Sequence, residues 1–409
     1  MMRRTSLVLR HAAHTAFALL ALSAATAQAQ SPATPIRIGH TAALSGPAAA
    51  YGQLARTNAA FFRMVNEQGG VNGRTIELVV ADDEYVPNKS FEAVRKMVEQ
   101  DKVLLMYGSF GTPTNSAQAP YLNRQKVPHL FLGTGADKWG DHKSLPWSMG
   151  FQPSFRHEAQ IYAKRILQNT PQAKIGVLHQ NDDFGRDYLK GVQDVLGKEK
   201  AGQLVKVVSY ETSDATVDSQ VVSLQAAGAE VIVLAAIPKF AGQAIRKAYD
   251  MNWNTTMYVA LGAANFPATT DSAKNRTAVT LISGSFAKEP RDATWDQDSG
   301  MKAYRAFMAK YLPNENVNDG LPVLAFNTGT LLVQVLKQAG SDLSRENIMH
   351  QAENLKDVEL PTLLPGIRVS TAKDDHYPVK QLQLMRWDGA GWKPFGEMLS
   401  TVREGKSGS

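Results

Sequence analysis

Between Ile36 and Gly108 the chain alternates short apolar runs with helical periodicity, and this alternation limits its fold more than any other feature. Ile36-Arg37-Ile38 opens an apolar run that closes at Ser45-Gly46-Pro47. From Tyr51 onward, Leu54, Phe61, Phe62 and Val65 fall near one helical face, and Gly69, Gly70 and Gly73 stop that helix. Thr75 to Val80 is a β-rich run ending at Asp82-Asp83, a helix from about Lys89 carries Val94, Met97 and Val98, and Val103 to Tyr107 is a further buried strand. The same order restarts downstream. Strands at Lys174–Leu178, Leu204–Val208, Val231–Leu234 and Met257–Val259 are separated by helices with Leu189, Val192 and Leu196, from Asp218, and from Phe240. Near-continuous apolar strands separated by helices predict an α/β fold with parallel sheets covered on both faces. Two such series in 409 residues suit two domains, since single cores stop growing near roughly 250–300 residues. The Trp-, Pro- and Gly-rich stretch from Lys138 to Pro153 lies between the series and marks the first domain crossing.

The N-terminal segment reads as an address. Arg3, Arg4 and Arg10 precede an apolar stretch from Ala12 to Leu22, and Ala27-Gln28-Ala29 follows, the three-part pattern of a secretory signal peptide over residues 1–29. The apolar stretch is too short to anchor in a bilayer. Losing its three arginines halves the formal net charge of +6. The remaining chain has no block of five or more Lys/Arg, so no nucleic-acid partner is expected. With no cysteine, disulfides, thiolate metal sites, a cysteine nucleophile and a lipidated anchor are excluded.

Enzyme signatures fail. His157-Glu158 begins like a zinc-protease helix, but Ile161 stands where the second histidine is needed. Gly108-Ser109-Phe110-Gly111 lacks nucleophile-elbow spacing, and the histidines have no ligand spacing. The reading is therefore no enzyme, no cofactor and no metal. Asp82-Asp83-Glu84 can hold a cation, but a solvated, turn-capping role suits it better.

Binding signatures are stronger. Each series places an aromatic residue, Tyr51 or Phe184, after its first strand, at the sheet edge where open α/β folds take ligands. These rings can wall a cleft or simply staple their helices to the sheets. After the strand at Val103–Tyr107, Thr112 stands at an N-cap with Pro113 at N1, so the following amides face outward and attract a carboxylate. Ser109 and Thr112 add hydroxyls. Val127–Leu132 ends at Gly133-Thr134-Gly135-Ala136, a second source of a hydroxyl and exposed amides on the same edge. An ordinary capped helix with a Gly turn explains these residues equally well.

Ser45-Gly46-Pro47 with Tyr51-Gly52, Asn66 to Gly73 and Leu78 to Asp83 resemble the Leu/Ile/Val-type periplasmic binding proteins of ABC importers, and Lys174–Gly185 and Glu230–Gly242 resemble the matching parts of that family's second lobe. The resemblance runs from about Ile36 to Gly396. It implies a class I periplasmic-binding fold of two Rossmann-like lobes with parallel sheets, joined by a three-crossover hinge. Residues 30–155 and 284–360 would form lobe 1, residues 156–283 and 361–400 lobe 2, and 401–409 a tail. Its ligand-stacking aromatics match Tyr51 and Phe184, its carboxylate-binding hydroxyls match Thr112 and Thr134, and an amide and a carbonyl fall at Gly135 and Ala136. Ser109 completes the candidate set.

One departure matters. The family's amino-acid binders use a lobe 2 carboxylate to pair with the ligand ammonium, and the corresponding loop here, Ala260 to Phe266, has none. Ala235 to Pro238 also lacks the family's tyrosine. A buried ammonium without a partner costs several kcal/mol. The expectation is a periplasmic receptor, monomeric, that captures a small carboxylate-bearing ligand with an aromatic or aliphatic body and hands it to an ABC permease in the inner membrane. The alternative is a sensory receptor of the same fold.

Overall fold

The structure is a computed structural model and describes residues 34–274 and 278–400. The expected signal segment at 1–29 and the tail at 401–409 lie outside the described residues.

Five strands form the first sheet: β1 (Ile36–Ala42), β2 (Ile76–Asp82), β3 (Leu105–Tyr107), β4 (His129–Leu132) and β5 (Ser148–Gly150). They run parallel in the order β2-β1-β3-β4-β5. The second sheet holds β6 (Ile175–Gln180), β7 (Leu204–Tyr210), β8 (Val231–Ala235), β9 (Thr255–Val259), β10 (Val279–Ser285), β11 (Gln381–Trp387) and β12 (Trp392–Ser400), in the order β12-β11-β10-β9-β8-β6-β7. Its pairs are parallel except β10–β11 and β11–β12, which are antiparallel. The inner strands β3, β4 and β6 are buried at every position, as strands covered on both faces must be, whereas the edge strands β2 and β7 are largely part-exposed.

Helices α1 (Gly52–Glu67), α2 (Pro87–Glu99) and α3 (Thr112–Arg124) belong to the first lobe, and α4 (Phe155–Asn169), α5 (Asp183–Leu196), α6 (Asp218–Ala226), α7 (Pro238–Asp250), α8 (Leu261–Ala264) and α9 (Pro267–Ala273) to the second. The chain then returns through α10 (Ser299–Tyr311), α11 (Gly320–Ala339) and α12 (Arg345–Ala352). Phe61 of α1 packs edge-on against Phe307 and Phe326 of these returning helices, at 6.0 and 5.6 Å between centroids. The chain thus passes between the sheets after β5, after β10 and before β11. Two of these connections lie side by side: Lys288 N–H donates to Thr362 O at 2.8 Å, and Leu364 N–H donates to Phe286 O at 3.0 Å.

Several boundaries differ from the periodicity reading. Helices α2 and α7 begin at Pro87 and Pro238, ahead of Lys89 and Phe240, because proline at N1 starts a helix before its apolar face begins. Strand β5 lies in the Trp-, Pro- and Gly-rich stretch read as the first domain crossing, since three residues shortly after Pro146 are too short to show a period. Trp139 is fully buried beside Ala119, Leu132 and Ala136. Asp82 and Asp83 cap the turn after β2: Asp82 Oδ1 accepts from Leu44 N and Glu84 N, both at 2.9 Å, and Asp83 Oδ1 accepts from Tyr85 N at 2.9 Å. Asp83 does this while buried, not solvated, with its other oxygen taken by Ser90 Oγ at 2.9 Å.

Candidate functional site

The carboxyl ends of β1, β3 and β4 face those of β6, β8 and β9 across a narrow chamber. Tyr51, Thr112 and Thr134 line it from the first lobe and Phe184, Ala236 and Ile237 from the second. No charged residue stands among the described residues lining it.

The polar end is built by α3. Its N-cap is Gly111, one residue before the threonine expected there, so Thr112 is the first helical residue. Gly111 has φ +106°, and a Cβ there would lie 2.4 Å from the Tyr85 ring, so only glycine fits. Asn115, one turn into the helix, holds this loop from behind. Its Nδ2 donates to Ser109 O at 3.0 Å and Gly111 O at 2.6 Å, and its Oδ1 accepts from the Nε2–H of buried His129 at 2.9 Å. Burial lowers His129 to about 3, so the ring stays neutral. The first-turn amides of any helix lack intrahelical partners, and here they adjoin two hydroxyls.

Those hydroxyls form a relay. Thr134 Oγ1 accepts from Ala136 N–H at 3.3 Å and Trp139 Nε1–H at 3.4 Å. With its oxygen so occupied, its own proton points to Thr112 Oγ1, 2.6 Å away. Thr112 then has a proton to give to an acceptor in the chamber. Trp139 orients this relay from a buried position.

The apolar walls are aromatic. Tyr51 lies 4.0 Å from Phe110 and 5.4 Å, edge-on, from Phe266 of the second lobe. Phe184 packs against Phe155 at 5.1 Å and Tyr188 at 5.5 Å. Phe110 fits against the end of β4 because residue 133 is glycine: a Cβ there would lie 2.5 Å from its ring. Burial, then the charge of Asp182, pushes the Tyr85 hydroxyl up, so it remains neutral. Ile237 N–H is taken by Tyr210 Oη at 2.9 Å, so a tyrosine of β7 serves the loop that lacks one of its own.

Of the candidate residues, Tyr51, Thr112, Thr134 and Phe184 meet in the chamber. Ser109, Gly135 and Ala136 do not line it. Ser109 Oγ is buried and accepts from Thr41 N–H at 3.2 Å. Gly135 O accepts from Phe155 N–H at 2.7 Å, and a Cβ on Gly135 would lie 2.2 Å from Pro153 O, so this glycine seats the first crossing. Ala136 faces the small cluster around Trp139. Sequence reasoning missed Tyr85, Phe155 and Gln152 as lining residues. Tyr85 was within reach of the sheet-edge rule, two residues past Asp83; Gln152 carries no signal outside the fold.

A wider chamber joins the first at Phe110, Gln152 and Gly262. Hinge residues Phe286 and Lys288, the start of α11, and Asn265 and Phe266 line it. The lobes also touch beside the chambers, where Lys138 Nζ meets Asp183 Oδ2 at 2.7 Å and Asp137 N–H donates to Asp187 Oδ2 at 2.8 Å.

Comparison with known proteins agrees with this architecture. The model of a family described as periplasmic binding protein matches residues 35–392. A Brucella abortus protein described as Leu/Ile/Val-binding protein homolog 7 is 28% identical over 225 residues, 53% of this chain; the match spans 56% of that relative's length. A branched-chain amino acid ABC transporter protein from Thermus thermophilus, solved with bound valine, superposes with TM-score 0.77 at 16% identity, covering 90% of this chain and 96% of that one. A fatty acid ABC transporter substrate-binding protein from Thermomonospora curvata superposes with TM-score 0.73 at 18% identity, covering 90% and 92%.

Proposed function

The chain belongs to the periplasmic binding protein family, and we propose that within it this protein is the periplasmic receptor of an ABC importer for a small apolar carboxylate. Proteins of this family bind transport substrates and are not enzymes. The observation that carries the ligand class is the lining of the narrow chamber. The Thr112 hydroxyl, which accepts from Thr134, and the first turn of α3 offer donors at one end, aromatic rings form the walls, and no carboxylate stands among the described lining residues to pair with an ammonium. Helix N-terminal amides and hydroxyls suit an anion. A buried ammonium would go unpaired at a cost of several kcal/mol. The bound valine of the Thermus protein and the fatty acid named for the Thermomonospora protein show that this architecture serves both ligand types, so the lining has to discriminate between them.

We assign β1–β5 with α1–α3 and α10–α12 to the first lobe and β6–β12 with α4–α9 to the second. The protein acts as a monomer that closes on its ligand and docks an inner-membrane permease. A thermal-shift panel tests the ligand class. Phenylacetate, phenylbutyrate and medium-chain fatty acids should raise the melting temperature, and leucine and valine should not. Stabilisation by leucine or valine with none from the acids would overturn it.

A further inference from the structure

The narrow chamber accounts for a carboxylate and an apolar body, and leaves unexplained two side-chain amides in the wider chamber next to it. Gln152 lines both chambers at their junction, is 6% exposed, and its amide makes no hydrogen bond to any described residue. Asn265 lines the wider chamber from the second lobe, beside Gly320 at the start of α11, and its Oδ1 is buried without a partner. A buried acceptor left without a donor destabilises the fold, so the Asn265 oxygen at the lining of this cavity favours an entering group that donates to it, and the Gln152 amide lines the same cavity.

The surroundings limit what that is. Lys288 is the only charged residue among the described residues lining the wider chamber, and its Nζ is already engaged by Asp298 Oδ2 at 2.8 Å and Pro361 O at 3.0 Å. The N-terminus of α11 carries its own carboxylate, Asp319, at the N-cap. A second negative charge on a ligand would be buried here beside Asp319 with no free counter-charge. A neutral group that both donates and accepts would satisfy the amides, which themselves offer both. Of the remaining lining, Phe110, Phe266, Leu321 and Leu324 are apolar, and the Ser285 hydroxyl is already bonded to the Ala287 backbone.

We infer that Gln152 and Asn265 form a second subsite that reads a neutral hydroxyl or carboxamide at the far end of an elongated ligand whose carboxylate is held by Thr112 and the first turn of α3. This rests on the carboxylate reading and adds to it: the ligand is an apolar acid with a neutral polar group at its other end.

Calorimetry with phenylacetate, phenylpropionate and phenylbutyrate, each with and without a para-hydroxyl, tests the inference on wild type, Gln152→Leu and Asn265→Leu. On wild type the hydroxyl should improve affinity most for the longest acid, by about tenfold. Gln152→Leu should erase that gain while the unsubstituted acid binds within about threefold of wild type. Asn265 sits in a part-exposed loop, so Asn265→Leu keeps the test intact if Gln152→Leu fails to fold, and it should also remove the discrimination. Equal affinities within every pair on wild type, or equal losses of both members in the variants, would overturn the subsite while the carboxylate reading stands. Failure of all six acids to bind would overturn both.

Discussion

Thr134 links a residue with no access to the ligand, Trp139, to one that lines the chamber, Thr112. Because the Thr134 oxygen already accepts two N–H groups, its proton goes to Thr112, and removing either hydroxyl breaks the donor chain. Thr112→Val and Thr134→Val should each weaken binding of the best acid by about ten- to hundredfold, the range for hydrogen bonds to charged groups, as read by calorimetry. A second residue-scale prediction concerns stability. Glu158 is fully buried; its Oε1 accepts from Leu261 N–H at 3.0 Å and lies 2.5 Å from the Tyr162 hydroxyl. Burial, opposed by Tyr162, raises this carboxyl to about 7. A carboxyl raised in the folded state stabilises fully below its unfolded value, and that contribution is lost as pH rises through the folded one. Wild type should lose on the order of 3 kcal/mol from this group between about pH 4.5 and pH 8. Glu158→Gln should flatten that slope in melting temperature against pH; an unchanged slope would show that Glu158 is not its source.

At the scale of elements, the N-terminus of α3 is the part of the site that tolerates least. Gly111→Ala forces a side chain into a positive-φ position and against the Tyr85 ring. It should cost about 2 kcal/mol or more, lowering both the melting temperature and acid affinity. The Lys138–Asp183 pair joins the turn after β4 to α5. Burial raises the Asp183 carboxyl, but hydrogen bonds from Lys138 and Arg186 outweigh it and hold it at about 2. The pair is part-exposed, so Lys138→Met should weaken ligand binding by at most about fivefold, less at high salt. Calorimetry at two ionic strengths checks this. Much of this level was legible in the sequence, because strands such as β6 are continuous apolar runs and helices such as α5 carry their apolar residues on one face. β5 was not, because a three-residue strand has no period and exists only because β4 offers it an edge.

For the whole molecule, two sheets joined by three connections put residues far apart in sequence around one space. Tyr51 and Phe184 were readable as sheet-edge aromatics, and Thr112 and Thr134 as hydroxyls after strands. Gln152 and Asn265 were not, since their meaning comes from the meeting of the first crossing, the hinge at Phe286–Lys288 and the start of α11. Tyr51 touches Phe266 across the cleft, so ligand contacts made from both lobes favour the closed arrangement over an open one. Small-angle scattering should show a decrease in radius of gyration when the acid that stabilises the protein most is added, and no change with leucine. The most direct test of the central claim is mass spectrometry of the small molecules released by denaturing the protein after purification from a periplasm. The account predicts an apolar acid without an amino group, and recovery of leucine, isoleucine or valine as the retained ligand would contradict it.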